Sequence, residues 1–528
     1  MVNTVQQHRA QLHKQLWEVA DSLRGQMNAS EFQNYALGVI FYKYLSEKTE
    51  IQAQKFINDE ATTYAEAWKD EEDRAEIVRH LIKTLGYAIE PEYLYSHMLT
   101  EIQKGSQGNW SVDLLQTAFN KTLESTVGTA SQHDFEGLFS DVNLQSPTLG
   151  RDIPTRSTIM GAVLTSIGKI DFHLEDTEID VLGDAYEYMI GQFASGAGKK
   201  GGEFYTPQQV SSILAKIIAH DTPELESIYD PTCGSGSLLL RVYKETIKEQ
   251  NGKAELIKLY GQELNTTTYN LARMNLILHG VHWNNFSIRN GDTLKDDLHK
   301  GAKFDAIIAN PPYSADWSPT ELTLQDERFA PYGKLAPRTK ADYAFVQNMI
   351  SHLGDHGTMA VVLPHGVLFR GAAEGVIRRH LIEKQNVLDA VIGLPANIFY
   401  GTSIPTSILI FKKGRKETDD VLFIDASKDF DKGKAQNHLT DTNVENIVST
   451  YSSRAETEKY SRNISLSEIE ENDYNLNIPR YIDSNEVKNA INLDVVAAEI
   501  SLIEERIAVA KIAIDESLNS LVGEQRND

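Results

Sequence analysis

Between residues 227 and 411, short apolar runs alternate with helical segments, and this alternation constrains the fold more than any other feature of the chain. The runs are Ser227–Tyr229, Leu259–Gly261, Phe286–Arg289, Phe304–Ala309, Met359–Leu363, Val387–Ile392 and Ser407–Phe411. Strands separated by helices are joined by crossovers, which predicts an α/β fold with a mostly parallel, seven-stranded sheet covered on both faces. The connection around Val391 and Ile408 is too short for a helix, so an antiparallel hairpin is expected at that edge.

The flanks read differently. The first 165 or so residues are helical in pattern: Leu12, Leu16, Val19 and Leu23 form one stripe, and Asn28–Ser30 offers caps for a second helix carrying Phe32, Tyr35, Val39 and Tyr42. A further helix is expected from Asp180 to Phe193, followed by the glycine-rich stretch Gly196–Gly202. Phe193 stands where a phosphate-binding Walker A loop needs its first glycine, so the stretch reads as a linker or loop. After residue 415 the sequence turns polar, and it closes on a helix whose Val496, Ile500, Ile503, Ile507, Ala510 and Ile514 step by four and three like a coiled-coil seam, extended by Leu518 and Leu521. Four regions result: 1–165 helical, 166–415 the sheet domain, 416–489 a connection, and 490–528 the terminal helix.

Charge narrows the function. The 528 residues carry 51 basic and 75 acidic side chains, a formal net charge of −24. Such a chain does not coat nucleic acid by bulk charge; contact with it needs a local basic surface or a basic partner. The single cysteine, Cys233, cannot form an intrachain disulfide, no Cys/His cluster has zinc spacing, and so no metal is expected. The start of the chain lacks the apolar core of a signal peptide, and no 18-residue apolar run occurs, which predicts a cytoplasmic protein with no membrane association.

Two segments carry the chemistry. In Ile228–Leu240 a strand ends at Asp230, a tight loop holds Gly234, Ser235 and Gly236, and an apolar helix begins at Ser237. This places backbone N–H groups at a helix N-terminus, open to a ligand. Leu239 replaces the third glycine of the dinucleotide fingerprint, and Asp230-Pro231 opens the loop; both departures favour S-adenosylmethionine over NAD. Glu263 ends the next strand, placed either for ribose hydroxyls or as a solvated strand-end acid, and Asp292 follows the third as an acceptor for an adenine amino group or an ordinary turn residue. Phe304–Ala309 then delivers Asn310-Pro311-Pro312-Tyr313 to the carboxyl edge of the sheet, about 75 residues past the loop. The Asn310 side-chain oxygen and the Pro311 carbonyl can both accept from one planar amino group, while Tyr313 offers a face on which a base stacks.

Together these motifs resemble the amino-methyltransferases, and their order resembles the γ arrangement of N6-adenine DNA methyltransferases. Gly202–Gln208 is similar to the family's N-terminal cofactor motif, and with the helical N-terminal region the resemblance extends to the modification subunit of type I restriction–modification enzymes. It implies a Rossmann-like class I S-adenosylmethionine-dependent methyltransferase domain. Cofactor contacts are implied for Glu203, Phe204, Tyr205, Thr206, Pro207 and Gln208, and for Asp230, Gly234, Ser235, Gly236, Ser237, Glu263 and Asp292. Asn310, Pro311, Pro312 and Tyr313 become the catalytic motif. Phe399 either packs on the far side of an extruded base or belongs to the core. The implied partners are DNA, a specificity subunit bridging two modification subunits, and a restriction subunit with the translocating motor. Base flipping followed by direct transfer, with no covalent enzyme intermediate, is the implied mechanism. Two readings compete: a protein-glutamine methyltransferase, because the same tetrapeptide grips an amide, and a non-catalytic scaffold that binds the cofactor.

Overall fold

The computed structural model describes residues 29–524 except 60, 173, 175–180, 197–205, 250–256, 400–401, 417, 434–435 and 484–492. The stripe from Leu12 to Leu23 therefore lies outside the described residues. Two compact units are present, residues 1–482 and 483–528.

The N-terminal helices are built from local signals. Ala29–Ile57 buries Tyr35, Val39 and Tyr42, the spacing seen in the sequence, and packs on Glu71–Leu85, Tyr95–Gln103 and Ile153–Gly168. Asp70 caps Glu71–Leu85 by accepting from the amides of Glu72 and Asp73, and Gly86 ends that helix at φ 87°. Ser111 and Asp152 cap Val112–Glu124 and Ile153–Gly168 in the same way.

Among the described residues eleven strands follow: β1 Ser227–Asp230, β2 Lys258–Glu263, β3 Phe286–Asn290, β4 Phe304–Ala309, β5 Leu353–Pro364, β6 Leu388–Gly393, β7 Thr406–Lys412, β8 Val421–Asp425, β9 Asp431–Lys432, β10 Asn437–His438 and β11 Ser461–Ile464. Nine form one sheet in the order β11-β8-β6-β7-β5-β4-β1-β2-β3, while β9 and β10 pair as a separate ribbon. From β3 to β5 every pairing is parallel; β7 runs antiparallel to both β5 and β6. The expected hairpin therefore exists, but it is not at an edge. β7 is inserted between β5 and β6, and β8 and β11 lie outside β6. Residues 421–464, read from the sequence as part of a connection, thus lengthen the seven-stranded sheet to nine.

Alternation along each strand feeds two cores. Ala306, Ile308, Ala360 and Val362 join the N-terminal helices on one face; Ile307, Ala309, Met359 and Val361 face a second core on the other.

One helix ties the N-terminal region to this sheet. Thr266–Leu278 carries Arg273, 1% exposed, whose guanidinium donates to the carbonyls of His133, Asp134 and Glu136 and covers the Tyr269 ring. Beside it, Asp141 accepts from Thr267 Oγ1 at 2.7 Å and from Asn270 Nδ2 at 2.6 Å. The second unit is the helix Leu493–Glu524, on which Ile500, Ile503, Ile507 and Ile514 are about half exposed, and Leu502, Val509 and Ile512 are exposed as well. Val496, Leu518 and Leu521 belong to it, but their side chains lie outside the described residues.

Candidate active site

The parallel order β4-β1-β2-β3 sets four carboxyl ends side by side, and β1, β2 and β3 each end on or near an acid. Open α/β sheets bind ligands at this edge. After β1 the chain turns through Gly234 at φ 54° and Gly236 at φ 75°, a region that glycine enters without steric cost. The turn lies so close to β2 that a Cβ on Gly261 would come within 2.9 Å of Cys233 Sγ.

Glu263 is the keystone of this cradle. It is 8% exposed; Oε2 accepts from the Gly234 amide at 3.0 Å and Oε1 from the Asn265 amide at 2.8 Å. Burial raises its pKa, and these backbone donors pull it back down. The solvated strand-end alternative does not fit a carboxylate this enclosed. Asp230 is 2% exposed, and its Oδ1 accepts from the Thr232 amide at 2.9 Å. Burial, reinforced by the charge of Glu263, pushes it up to about 7. Ser235 is buried, and its Oγ shares a hydrogen bond with Ser237 Oγ at 3.0 Å.

Asp292 is exposed and accepts from the Leu294 amide at 3.0 Å. It lies on the rim of a cavity of about 580 Å³ lined also by Trp317, Leu322, Thr323 and Arg328. An aromatic wall beside a carboxylate acceptor suits a flat heterocycle bearing an amino group. The enclosed acids beside the glycine turn suit the ribose hydroxyls and positive sulfur of S-adenosylmethionine, and the wall beside Asp292 suits its adenine.

Asn310 follows β4 directly. Its Nδ2 donates to Thr206 Oγ1 at 3.1 Å, and its Oδ1 accepts from the Tyr313 hydroxyl at 2.7 Å. In this arrangement one lone pair of Oδ1 remains for a further donor. Pro311 is buried; Pro312 and Tyr313 are half-buried. The Tyr313 ring meets Phe399 edge to face, with centroids 5.8 Å apart and planes at 80°. Phe399 is 4% exposed and packs in the same core as the N-terminal helices. Of its two sequence readings, core packing is the one this geometry displays.

Pro207 opens the helix Gln208–Asp221, where its carbonyl accepts from the Ser211 amide at 3.0 Å; Gln208 is exposed beside it. Glu203, Phe204 and Tyr205 lie outside the described residues. The contact of Thr206 with Asn310 joins the first and last motifs across 104 residues, and nothing in their spacing announces it. Sequence reasoning also missed Asn265, which caps Thr266–Leu278, and Asn275, fully buried, whose amide donates to the Ser235 carbonyl at 3.0 Å. Elsewhere, Asp184, Glu187 and His279 bring ligand atoms within 4.8 Å of one another, but the Lys244 ammonium 3.1 Å from Asp184 already supplies a countercharge.

Comparison with known proteins decides the family. A profile described as N-6 DNA methylase matches residues 177–490, and one described as the HsdM N-terminal domain matches residues 12–164. The chain belongs to the N-6 DNA methylase family. This methylase is 36% identical over 95% of its length, and 94% of the other's, to the type I restriction enzyme MpnII methylase subunit of Mycoplasma pneumoniae. Its fold matches a type I restriction-modification methyltransferase subunit from Streptococcus thermophilus with a TM-score of 0.82 and 42% identity, covering 90% of this chain and 100% of that one. A modification subunit of a type I restriction enzyme from Vibrio vulnificus shares the fold at 20% identity, with a TM-score of 0.61 over 90% of this chain and 97% of its own. The methylase is thus a type I restriction–modification methylase subunit, and its activity is methylation of adenine N6 in DNA.

Proposed function

We propose that residues 166–415 carry out this reaction with S-adenosylmethionine as donor, and that Asn310, Pro311, Pro312 and Tyr313 receive an adenine extruded from the duplex. The observation that carries the reading is the Asn310 amide, pinned at the end of β4 between Thr206 and Tyr313. When bound, S-adenosylmethionine supplies the methyl group as a sulfonium electrophile. Asp230, Glu263 and Asp292 supply acceptors and negative charge on the cofactor side. Asn310 Oδ1 and the Pro311 carbonyl accept both N–H bonds of the target amino group. That draws the nitrogen out of conjugation and turns its lone pair toward the methyl carbon. Tyr313 stacks on the base, which displaces its edge-on contact with Phe399 or uses its other face. Extrusion costs a few kcal/mol, and stacking recovers roughly 1–3 kcal/mol of it.

A separate specificity subunit reads the DNA sequence in this proposal, bridging two copies of the methylase, and a restriction subunit supplies the motor. The formal charge of −24 and the exposed apolar row on Leu493–Glu524 support assembly with a more basic, helical partner. None of the described helices is long and apolar enough to cross a membrane, which accords with a cytoplasmic site of action. The test is transfer of a tritiated methyl group by the assembled complex. Label recovered as N6-methyladenine supports the proposal; label recovered as methylglutamine in protein sinks it.

A further inference from the structure

Immediately after Tyr313 the backbone adopts a conformation that side chains avoid. Ser314 has φ 50°, and residues other than Gly, Asn and Asp seldom sit there. Its amide is held: it donates to Asp342 Oδ1 at 2.8 Å. Asp342 opens the helix Asp342–His352 and is 1% exposed. Its second oxygen accepts from Arg370 Nη2 at 2.7 Å, and Arg370 is gripped in turn by the buried carboxylate of Glu374 through Nε and Nη2. Gly366 makes room for this fold-back, because a Cβ at that position would collide with the Arg370 guanidinium. The clamp is therefore anchored to segments following β5, and it ends one residue from the hydroxyl that bonds Asn310 Oδ1 at 2.7 Å.

We propose that Asp342 is a positioning residue of the methyl transfer: by clamping the Ser314 amide it holds Tyr313 against Asn310 and so orients the oxygen that meets the target amino group. The inference rests on the catalytic reading of Asn310–Tyr313. Asp342 touches neither substrate nor cofactor in this scheme; it acts through the turn. A purely structural role predicts lost stability with unchanged turnover per folded molecule. A positioning role predicts lower kcat with cofactor affinity retained.

The test uses the assembled complex and three variants: Asp342→Asn, Asp342→Ala, and Asp342→Asn combined with Ser314→Gly. Thermal transition, S-adenosylmethionine Kd and kcat on adenine-containing DNA are measured for each, and in separate binding experiments DNA with 2-aminopurine at the target position reports on the extruded base by fluorescence. Asp342→Asn leaves one oxygen for two donors, and the charged Arg370 guanidinium outcompetes the Ser314 amide for it. The variant is expected to lower kcat roughly tenfold, to leave Kd within about twofold, and to alter the 2-aminopurine signal. Glycine enters positive φ without a clamp, so Ser314→Gly should restore about threefold of that loss. A folded Asp342→Asn variant with kcat within about twofold of wild type overturns the inference, as does a loss that Ser314→Gly leaves untouched. Should Asp342→Ala fail to fold with Arg370 and Glu374 unbalanced, the two Asn variants decide. Wild-type complex that places no methyl on adenine N6 overturns the catalytic reading itself, an outcome visible before any variant is compared.

Discussion

Asn310 makes two side-chain hydrogen bonds, to Thr206 and Tyr313, and none to the cofactor loop among those described. Asn310→Ala should therefore keep S-adenosylmethionine affinity by calorimetry while transfer falls 10²-fold or more, on the order of 3 kcal/mol. Near-normal turnover would remove Asn310 from the mechanism. Glu263→Gln should do the converse. It keeps one acceptor for the loop but loses the charge, so cofactor binding should weaken by roughly 1.5–3 kcal/mol, with turnover at saturating cofactor little changed. Asp230 gives a pH signature. Folded, its carboxyl holds the proton to about 7, against an ordinary 3.8, so between these values the folded state binds more protons than the unfolded one. Stability from this group is complete below about 4 and is lost as pH rises through about 7. Asp230→Asn keeps an oxygen for the Thr232 amide and cannot ionise, so in cofactor-free melts it should gain more over wild type at pH 8 than at pH 5. An equal gap at both would mean that burial does not shift this carboxyl. Contiguous strings such as Asp230–Ser237 and Asn310–Tyr313 were legible in sequence because each motif's chemistry is local. The Thr206–Asn310 bond and the Asn275–Ser235 bond were not, because each joins side chain and partner only through the folded sheet.

At the scale of elements, the strands from β1 to β7 could be read from apolar runs bounded by turns, and the helix after Gly236 from its position. β8 and β11 escaped for different reasons: Val421–Ile424 is an apolar run like the others, passed over because polar sequence flanks it, whereas Ser461–Ile464 has no apolar run and is a strand through its pairing with β8. The helix Thr266–Leu278 is the element with the most diverse duties. Its cap Asn265 donates an amide to Glu263, Asn275 holds the cofactor loop, and Arg273 grips three carbonyls of the N-terminal region. Arg273→Ala should leave those carbonyls without a donor and cost about 3 kcal/mol or more in urea unfolding. Arg273→Lys should recover little, since one ammonium cannot span three acceptors set out for a planar fork. A loss below about 1 kcal/mol would show that packing, not this guanidinium, joins the two regions.

The whole molecule separates a large unit with two cores from a single terminal helix. Deleting residues 490–528 should shift the thermal transition of the remainder by less than about 3 °C, leave S-adenosylmethionine binding intact, and abolish stable assembly and DNA methylation. Replacing Ile503 and Ile507 by Asp should act alike, because burying two unpaired carboxylates costs several kcal/mol. Aggregation of the truncated chain would place the stripe in the methylase's own core instead. Apolar residues at Leu502, Val509 and Ile512, off the seam, mean that one partner helix cannot cover the whole surface. The insertion of β7 has a consequence at this scale that concerns synthesis. A chain leaves the ribosome N-terminus first, so β5 emerges before β6, and β6 before the strand that must lie between them. Until Lys412 is out, the seven residues Thr358–Pro364 present an unpaired ladder along one side. Exposed ladders recruit strands from other chains. A nascent chain held with β5 outside the ribosome and Thr406–Lys412 still inside it exposes this ladder, and prompt emergence of the hairpin covers it.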